Sequence, residues 1–262
     1  MLPQLLAVAA TTPLIINLST DNGEWIKAFE HKNIEITRPG KILHALRIAK
    51  VDTLVLAGGI KIRPGFWSFK PDWATIKLLP KLFQALRKGD DGLLRSAIKW
   101  LESEGFMVIG AHELLPDLLA PHSCLTQTYP SQQDEVSIAY GIQAAVELGR
   151  LDIGQATVTK ADQIYASEDS KGTAAMLAKL GAIADPSKRA DGGVLVKFAK
   201  PDQELRVDLP SIGPDTIHQA HLAGLAGIAL EASKSLILDR QEVIRVANVY
   251  GMFVLGRRRD SA

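Results

Sequence analysis

Short apolar runs alternate along this chain with longer stretches whose apolar residues recur every three or four positions. That alternation predicts strands interleaved with amphipathic helices. "LLAVAATT" (5–12) reads as a helix and "LIINL" (14–18) as a short buried strand. In "GKILHALRIAK" (40–50), Ile42, Leu43 and Leu46 share one helical face, and "VDTLVLAGG" (51–59) follows as an apolar strand ending in glycines. Residues 76–105 read as two amphipathic helices broken at Gly89, and "FMVIG" (106–110) as a further strand. Strands that are apolar at nearly every position, separated by helices, are expected where both faces of a parallel sheet are covered. The first half is therefore expected to be a parallel, Rossmann-like α/β domain.

The pattern breaks at "CLTQTYPSQQDE" (124–135), which is polar and irregular. A domain of residues 1–124, a linker over 125–133 and a second domain over 134–262 are expected. Beyond the break, "DEVSIAYGIQAAVELGR" (134–150) reads as a helix whose acidic first turn suits the helix dipole. "ATVT" and "QIYASE" form strands around the turn "KADQ" (160–163), a helix follows "KGT" (171–173), and "GVLVKFAK" (193–200) is a strand. "LRVDL" (205–209) alternates like a half-buried strand, then come a helix from Pro214, strands "GIAL" (227–230) and "SLILD" (235–239), a helix over 240–250 and strand "MFVLG" (252–256). The second domain is thus expected to be mixed α/β.

Composition narrows the function classes. With 262 residues, 47% hydrophobic, 23% charged and a formal net charge of +1, the chain has ordinary globular balance. It lacks the clustered positive charge of a nucleic-acid-binding surface, so no nucleic-acid partner is expected. The basic run "GRRRD" (256–260) reads as a solvated C-terminal tail. Cys124 is the sole cysteine, which excludes a disulfide framework and a thiolate metal cluster. The apolar N-terminus is interrupted by Pro3 and Pro13 and has no basic start, so neither a signal peptide nor a transmembrane segment is read there, and a cytoplasmic protein is expected.

No GxxxxGK[ST], GxSxG, HExxH or GxGxxG motif occurs. His218 and His221 share a helix face but lack a third ligand at useful spacing, so they read as surface histidines. In "GDD" (89–91), Asp90 and Asp91 suit a divalent cation, while Asp90 equally suits a helix cap. A more specific gathering lies in the second half. "LDIGQ" (151–155), "KGT" (171–173), "LVK" (195–197) and "RVDLP" (206–210) each place a polar or small residue at the end of an apolar segment. Such ends converge on the ligand-binding edge of α/β layers. Gly172 and Thr173 offer a helix N-terminus and a hydroxyl to a phosphate oxygen, and Lys197 and Arg206 are cations suited to a diphosphate. Taken alone, these residues indicate an anionic-ligand site of unspecified chemistry.

"LDIGQ", "GTAAML", "GVLVKFAKP", "RVDLPSIGPDT" and "GLAGIALEA…LILDR…GMFVLG", in this order, resemble the UDP-2,3-diacylglucosamine pyrophosphatase family of lipid A biosynthesis, the branch unrelated to calcineurin-like phosphoesterases. "PGK" (39–41), "AGGIKIRPGF" (57–66), "RKGDDGLLR" (87–95) and "LESEGFMVIGAHELLPDLL" (101–119) extend the likeness through the first half. The resemblance implies hydrolysis of the diphosphate of UDP-2,3-diacylglucosamine to UMP and lipid X, with Mg²⁺ or Mn²⁺ required. It also implies two domains closing over a lipid-bearing nucleotide sugar at the inner membrane surface; a homodimer stays open. The family's aspartate falls on Asp208, where a carboxylate facing a diphosphate makes sense as a metal-bridging ligand, or alternatively as general base. Gln155, Gly172, Thr173, Lys197, Arg206 and, in the first half, Gly59 are the implied substrate contacts, with Asp208, Asp90 and Asp91 the candidate metal ligands. Three features depart from the family pattern. Lys171 and Ala174 replace acids of its "EGTDAML", Gly59 replaces an Asn or Lys, and the chain starts at "MLP" without the family's opening strand and glycine turn. The lost acids keep a second reading in view, a weakened lipid X or nucleotide-sugar binding protein, and the short start predicts a thinner first domain.

Overall fold

The computed structural model describes residues 13–18, 24–58, 89–183 and 191–259. Its backbone divides into two units, residues 1–115 and 116–262. The helix expected over 5–12, the first helix of the 76–105 pair and Gly59 lie outside the described residues.

In the first unit, strand β1 (Ile15–Asn17) runs parallel to β2 (His31–Asn33), and β3 (Thr53–Val55) runs parallel to β4 (Met107–Ile109). Helix α1 (Pro39–Ile48) begins on a proline, whose fixed φ and missing N–H are both tolerated in a first turn, and buries Leu43, Ala45 and Leu46. Helix α2 (Gly89–Ser103) buries Ile98, Trp100 and Leu101. Asp90 and Asp91 lie within the residues of this helix. The short helix α3 (Ala111–Leu114) closes the unit.

The second unit begins earlier than the polar break suggests. Residues 116–131 run along it, held by backbone and side-chain bonds to the C-terminal strand and helix. Leu125 N–H donates to the Val254 carbonyl at 2.9 Å, Val254 N–H to Thr126 Oγ1 at 3.0 Å, and Gln127 N–H to Asn248 Oδ1 at 2.8 Å. The polar side chains of this stretch serve as partners for backbone groups, which is why it looks like a linker in sequence. Ser131 then caps helix α4 (Gln132–Arg150) in a reciprocal box with Asp134, two residues ahead of the expected start.

Five strands form the sheet: β5 (Ala156–Lys160), β6 (Gln163–Ser167), β7 (Val194–Lys197), β9 (Gly227–Glu231) and β11 (Phe253–Arg257), in the order β11-β9-β7-β5-β6. The first three of that order are parallel, whereas β5 is antiparallel to both neighbours. Side chains alternate between two cores. Val194, Val196, Ala229 and Phe253 pack against Ile138, Ile142 and Ala145 of α4. Leu195, Ile228, Leu230 and Val254 face the other side, against α5 (Gly172–Gly181), α6 (Pro214–Leu222) and α7 (Arg240–Val249). Both faces being covered explains the continuous apolar runs.

One expected strand is absent. Residues 205–207 form a turn, with the Val207 and Asp208 amides both donating to the Glu204 carbonyl at 3.1 and 3.0 Å. Only Ser211–Ile212 is extended (β8), paired with β10 (Leu236–Ile237) outside the main sheet. Pro210 has no N–H to give a ladder, so the alternation of "LRVDL" reflects half-burial of a turn rather than strand pairing. The tail also differs from a solvated one. Arg257 bonds both oxygens of Glu135 at 2.5 Å, and Arg259 bonds Glu231 Oε2 and the Ala199 carbonyl, each at 2.8 Å.

Candidate active site

Lys197 closes β7. Side chains alternate along a strand, so its head lies on the face of Leu195, toward α5. It is buried, at 8% exposure, and its Nζ donates to Thr173 Oγ1 at 3.0 Å and to the Ser211 carbonyl at 3.2 Å. Burial pushes the Lys197 ammonium below the usual lysine range, and the negative charges of Glu168 and Asp208 oppose that shift. An ammonium held this deep, with only two of its three donors engaged among the described residues, is suited to a further anionic acceptor.

Glu168 follows β6 directly and is as buried as Lys197, at 8% exposure. Its Oε1 accepts the Thr173 hydroxyl at 2.6 Å and its Oε2 the Gln155 backbone N–H at 2.8 Å. A chain of three groups results, carboxylate to hydroxyl to ammonium. Gly154 is required beside it, since a Cβ there would stand 2.9 Å from both Glu168 Cβ and its carbonyl oxygen. Glu168 escapes a reading of the sequence by motif, yet it obeys the rule that singled out the others, a polar residue at the end of an apolar strand.

Asp208 is half-buried on its turn, and Gln203 Nε2 donates to its Oδ2 at 2.7 Å. Gln203 is itself buried and accepts the Lys200 N–H at 2.8 Å, which ties Asp208 to the segment leaving β7. That segment is fixed in turn by Glu231, whose Oε2 accepts from Ala199 N–H at 3.0 Å and from Arg259 at 2.8 Å. Glu231 and Ser211 carry no sequence signal as site residues, because each acts through a partner distant in sequence, and Gln203 carries none because its role depends on the turn that brings Asp208 back to it.

The expected site residues of the second unit are thus partly assembled. Lys197 and Thr173 bond each other directly, and the field of Asp208 reaches Lys197. Gly172 opens α5 with φ +82°, a conformation glycine adopts without strain, but its N–H is taken by the Asp169 carbonyl at 2.9 Å. Gln155 contributes its backbone N–H to Glu168, while its side-chain Oε1 is buried without a hydrogen-bond partner among the described residues, an acceptor that a ligand N–H or O–H would satisfy. Arg206 holds Glu204 through Nε at 2.8 Å and Nη2 at 3.0 Å, a two-pronged ion pair two residues apart. Asp90 and Asp91 belong to the first unit. His218 and His221 are occupied by Tyr250, the first through a 2.8 Å contact to its hydroxyl and the second by ring stacking at 3.9 Å.

The two halves of the chain match two family models in order. Residues 1–118 match the LpxI N-terminal domain, and residues 121–255 the LpxI C-terminal domain. The chain belongs to the LpxI family. Gln155, Glu168, Thr173, Lys197 and Asp208 all fall within the matched C-terminal region. A curated LpxI protein, named UDP-2,3-diacylglucosamine pyrophosphatase, from Caulobacter vibrioides, is 44% identical over 220 residues, covering 83% of this chain and 78% of that protein. No helix among the described residues is long and apolar enough to cross a membrane.

Whether the LpxI site suits a divalent cation is a question of donor chemistry. Among the described residues, no group of three or more His, Cys, Asp and Glu is placed to hold a metal, so a cage made wholly of protein side chains is absent there. Asp208 nevertheless offers hard carboxylate oxygen, and Mg²⁺ is commonly held by one or two carboxylates with water and substrate phosphates filling the rest. The donor set fits that open mode.

Proposed function

We propose that this protein hydrolyses the diphosphate of UDP-2,3-diacylglucosamine, releasing UMP and 2,3-diacylglucosamine 1-phosphate, in the pathway to lipid A. The observation that carries the reading is the 44% identity over 83% of the chain to a relative named for that activity. The geometry supports it independently of the name. A diphosphate brings negative charge to the reacting centre, and the buried Lys197 ammonium, desolvated and aimed by Thr173 and the Ser211 carbonyl, meets it with charge that needs no reorganisation.

In the hydrolysis, water adds to phosphorus and the bridging P–O bond breaks, leaving one phosphate on each product. Lys197 binds non-bridging oxygens, where charge builds up. Thr173 orients it. Gln155 Oε1 takes a donor from the substrate, and Asp208 stands as metal ligand or as acceptor of the proton lost by the attacking water. A bound Mg²⁺ or Mn²⁺ would neutralise phosphate charge and lower the repulsion between Asp208 and the substrate. Arg206 acts through Glu204, by shaping the turn that carries Asp208.

UMP release from purified protein and UDP-2,3-diacylglucosamine tests the reading. Activity is expected to vanish after chelation with EDTA and return with Mg²⁺ or Mn²⁺. Full activity in excess chelator after dialysis removes the metal. Tight lipid X binding with no turnover under any metal instead supports the binding-protein reading suggested by Lys171 and Ala174.

A further inference from the structure

We propose that Glu168 is a positioning residue for this hydrolysis, fixing the direction of the Thr173 hydroxyl and, through it, the place of the Lys197 ammonium. The inference rests on the proposed function and adds a residue to its machinery.

The argument is one of donors and acceptors. Glu168 receives two hydrogen bonds, from Thr173 Oγ1 at 2.6 Å and from the Gln155 N–H at 2.8 Å, so both its oxygens must accept. Only a carboxylate does this. Because the Thr173 proton points to Glu168, the hydroxyl oxygen keeps its lone pairs for Lys197, which donates to it at 3.0 Å. The direction of the whole chain is therefore set at its acidic end. The surroundings also suit an aiming device. Glu168 is 8% exposed, its backbone N–H is taken by the Ala156 carbonyl at 2.9 Å, and the Gly154 backbone packs closely against its Cβ and carbonyl, where a side chain at Gly154 would not fit.

Glu168→Gln keeps size and shape but has one acceptor oxygen. If that oxygen faces the Gln155 N–H, the new amide donates to Thr173, whose proton must then turn toward Lys197, itself a donor. If it faces Thr173, the amide opposes the Gln155 N–H. One of the two contacts must fail in either orientation, and Lys197 loses its seat. A displaced charge at the reacting centre costs on the order of 100-fold in turnover.

The experiment is a double-mutant cycle on the metal-supplied full-length enzyme, combining Glu168→Gln with Thr173→Val, with kcat and KM read from UMP release and thermal melting read alongside. E168Q is expected to lower kcat by about 100-fold with KM changed less than about threefold. In the T173V background, where no hydroxyl remains to aim, the same change should cost no more than about threefold. Thr173→Ser, which restores the hydroxyl, should stay within about threefold of wild type. An equal loss from E168Q in both backgrounds assigns Glu168 to holding the Gly154–Gln155 backbone and overturns the proposal, as does an E168Q enzyme with near-normal kcat. Should E168Q fail to fold, equal kcat in T173S and T173V overturns it, and a loss confined to T173V upholds the aimed hydroxyl. A wild-type protein that releases no UMP refutes the substrate assignment itself, and the positioning role falls with it.

Discussion

Replacing Lys197 with Met separates the stability of the site from its chemistry. The side chains are similar in length, and Met suits the apolar face that Lys197 shares with Leu195. Two hydrogen bonds from the ammonium disappear, to Thr173 Oγ1 and to the Ser211 carbonyl. Removing one partner of a buried ion pair costs about 3–5 kcal/mol when the other charge is left unmet. Here Glu168 keeps its bonds from Gln155 and Thr173, and the variant no longer buries an ammonium, so a loss of roughly 1–3 kcal/mol is expected. Catalysis should suffer more. Loss of one preorganised charge at the reacting oxygens costs about 100- to 1,000-fold in kcat, or roughly 3–4 kcal/mol. UMP release, assayed at a temperature where melting shows both proteins folded, measures this. A kcat within about tenfold of wild type, a barrier change under about 1.4 kcal/mol, would refute a direct role for the ammonium.

Stability as a function of pH gives the same substitution a second reading. Burial holds the Lys197 pKa in the folded protein below that of an ordinary lysine. Between the folded and unfolded values, the unfolded chain therefore holds more protons, and stability from this group rises with pH. Its penalty is fully present below the folded value and is relieved as pH climbs toward the ordinary lysine range. Wild type should gain melting temperature relative to Lys197→Met across that alkaline window, and a constant difference would show that the ammonium is not desolvated.

Two further outcomes test the surrounding frame. Asp208→Asn is nearly isosteric, so the fold should survive while kcat falls by orders of magnitude; turnover above about a tenth of wild type would exclude a direct role. Arg259→Met removes one cation from the buried Glu231 but leaves Lys234 Nζ at 3.2 Å, so a loss of about 1–3 kcal/mol is expected, below that of an unmet charge. Because Glu231 and Arg259 together hold the backbone of Ala199, kcat should fall with it, and unchanged melting would return "GRRRD" to a solvated tail.

The second unit's sheet and helices were legible in the chain because they follow from burial alone. A strand covered on both faces must be apolar throughout, and "GVLVKFAK" and "MFVLG" say so without any partner being known. The convergence was legible in part: Lys197 is the polar end of an apolar strand, whereas Gln155 precedes β5 and reaches the same edge because β5 runs antiparallel to β7, with Ala156 opposite Lys197. What only the tertiary structure decided was pairing. "LRVDL" has the alternation of a strand, but alternation records half-burial, and the Glu204 carbonyl turns the backbone before a ladder forms. Arg206 reads in the sequence as a cation for a diphosphate, and only the fold adds its two-pronged ion pair to Glu204. Glu168 looked like an ordinary acid at a strand end. Its role comes from a hydroxyl five residues on and an ammonium on another strand, joined by bonds of 2.6 and 3.0 Å. Hydropathy is a property of one residue and is written in the chain, whereas a hydrogen bond belongs to two residues and exists only once the fold has brought them together.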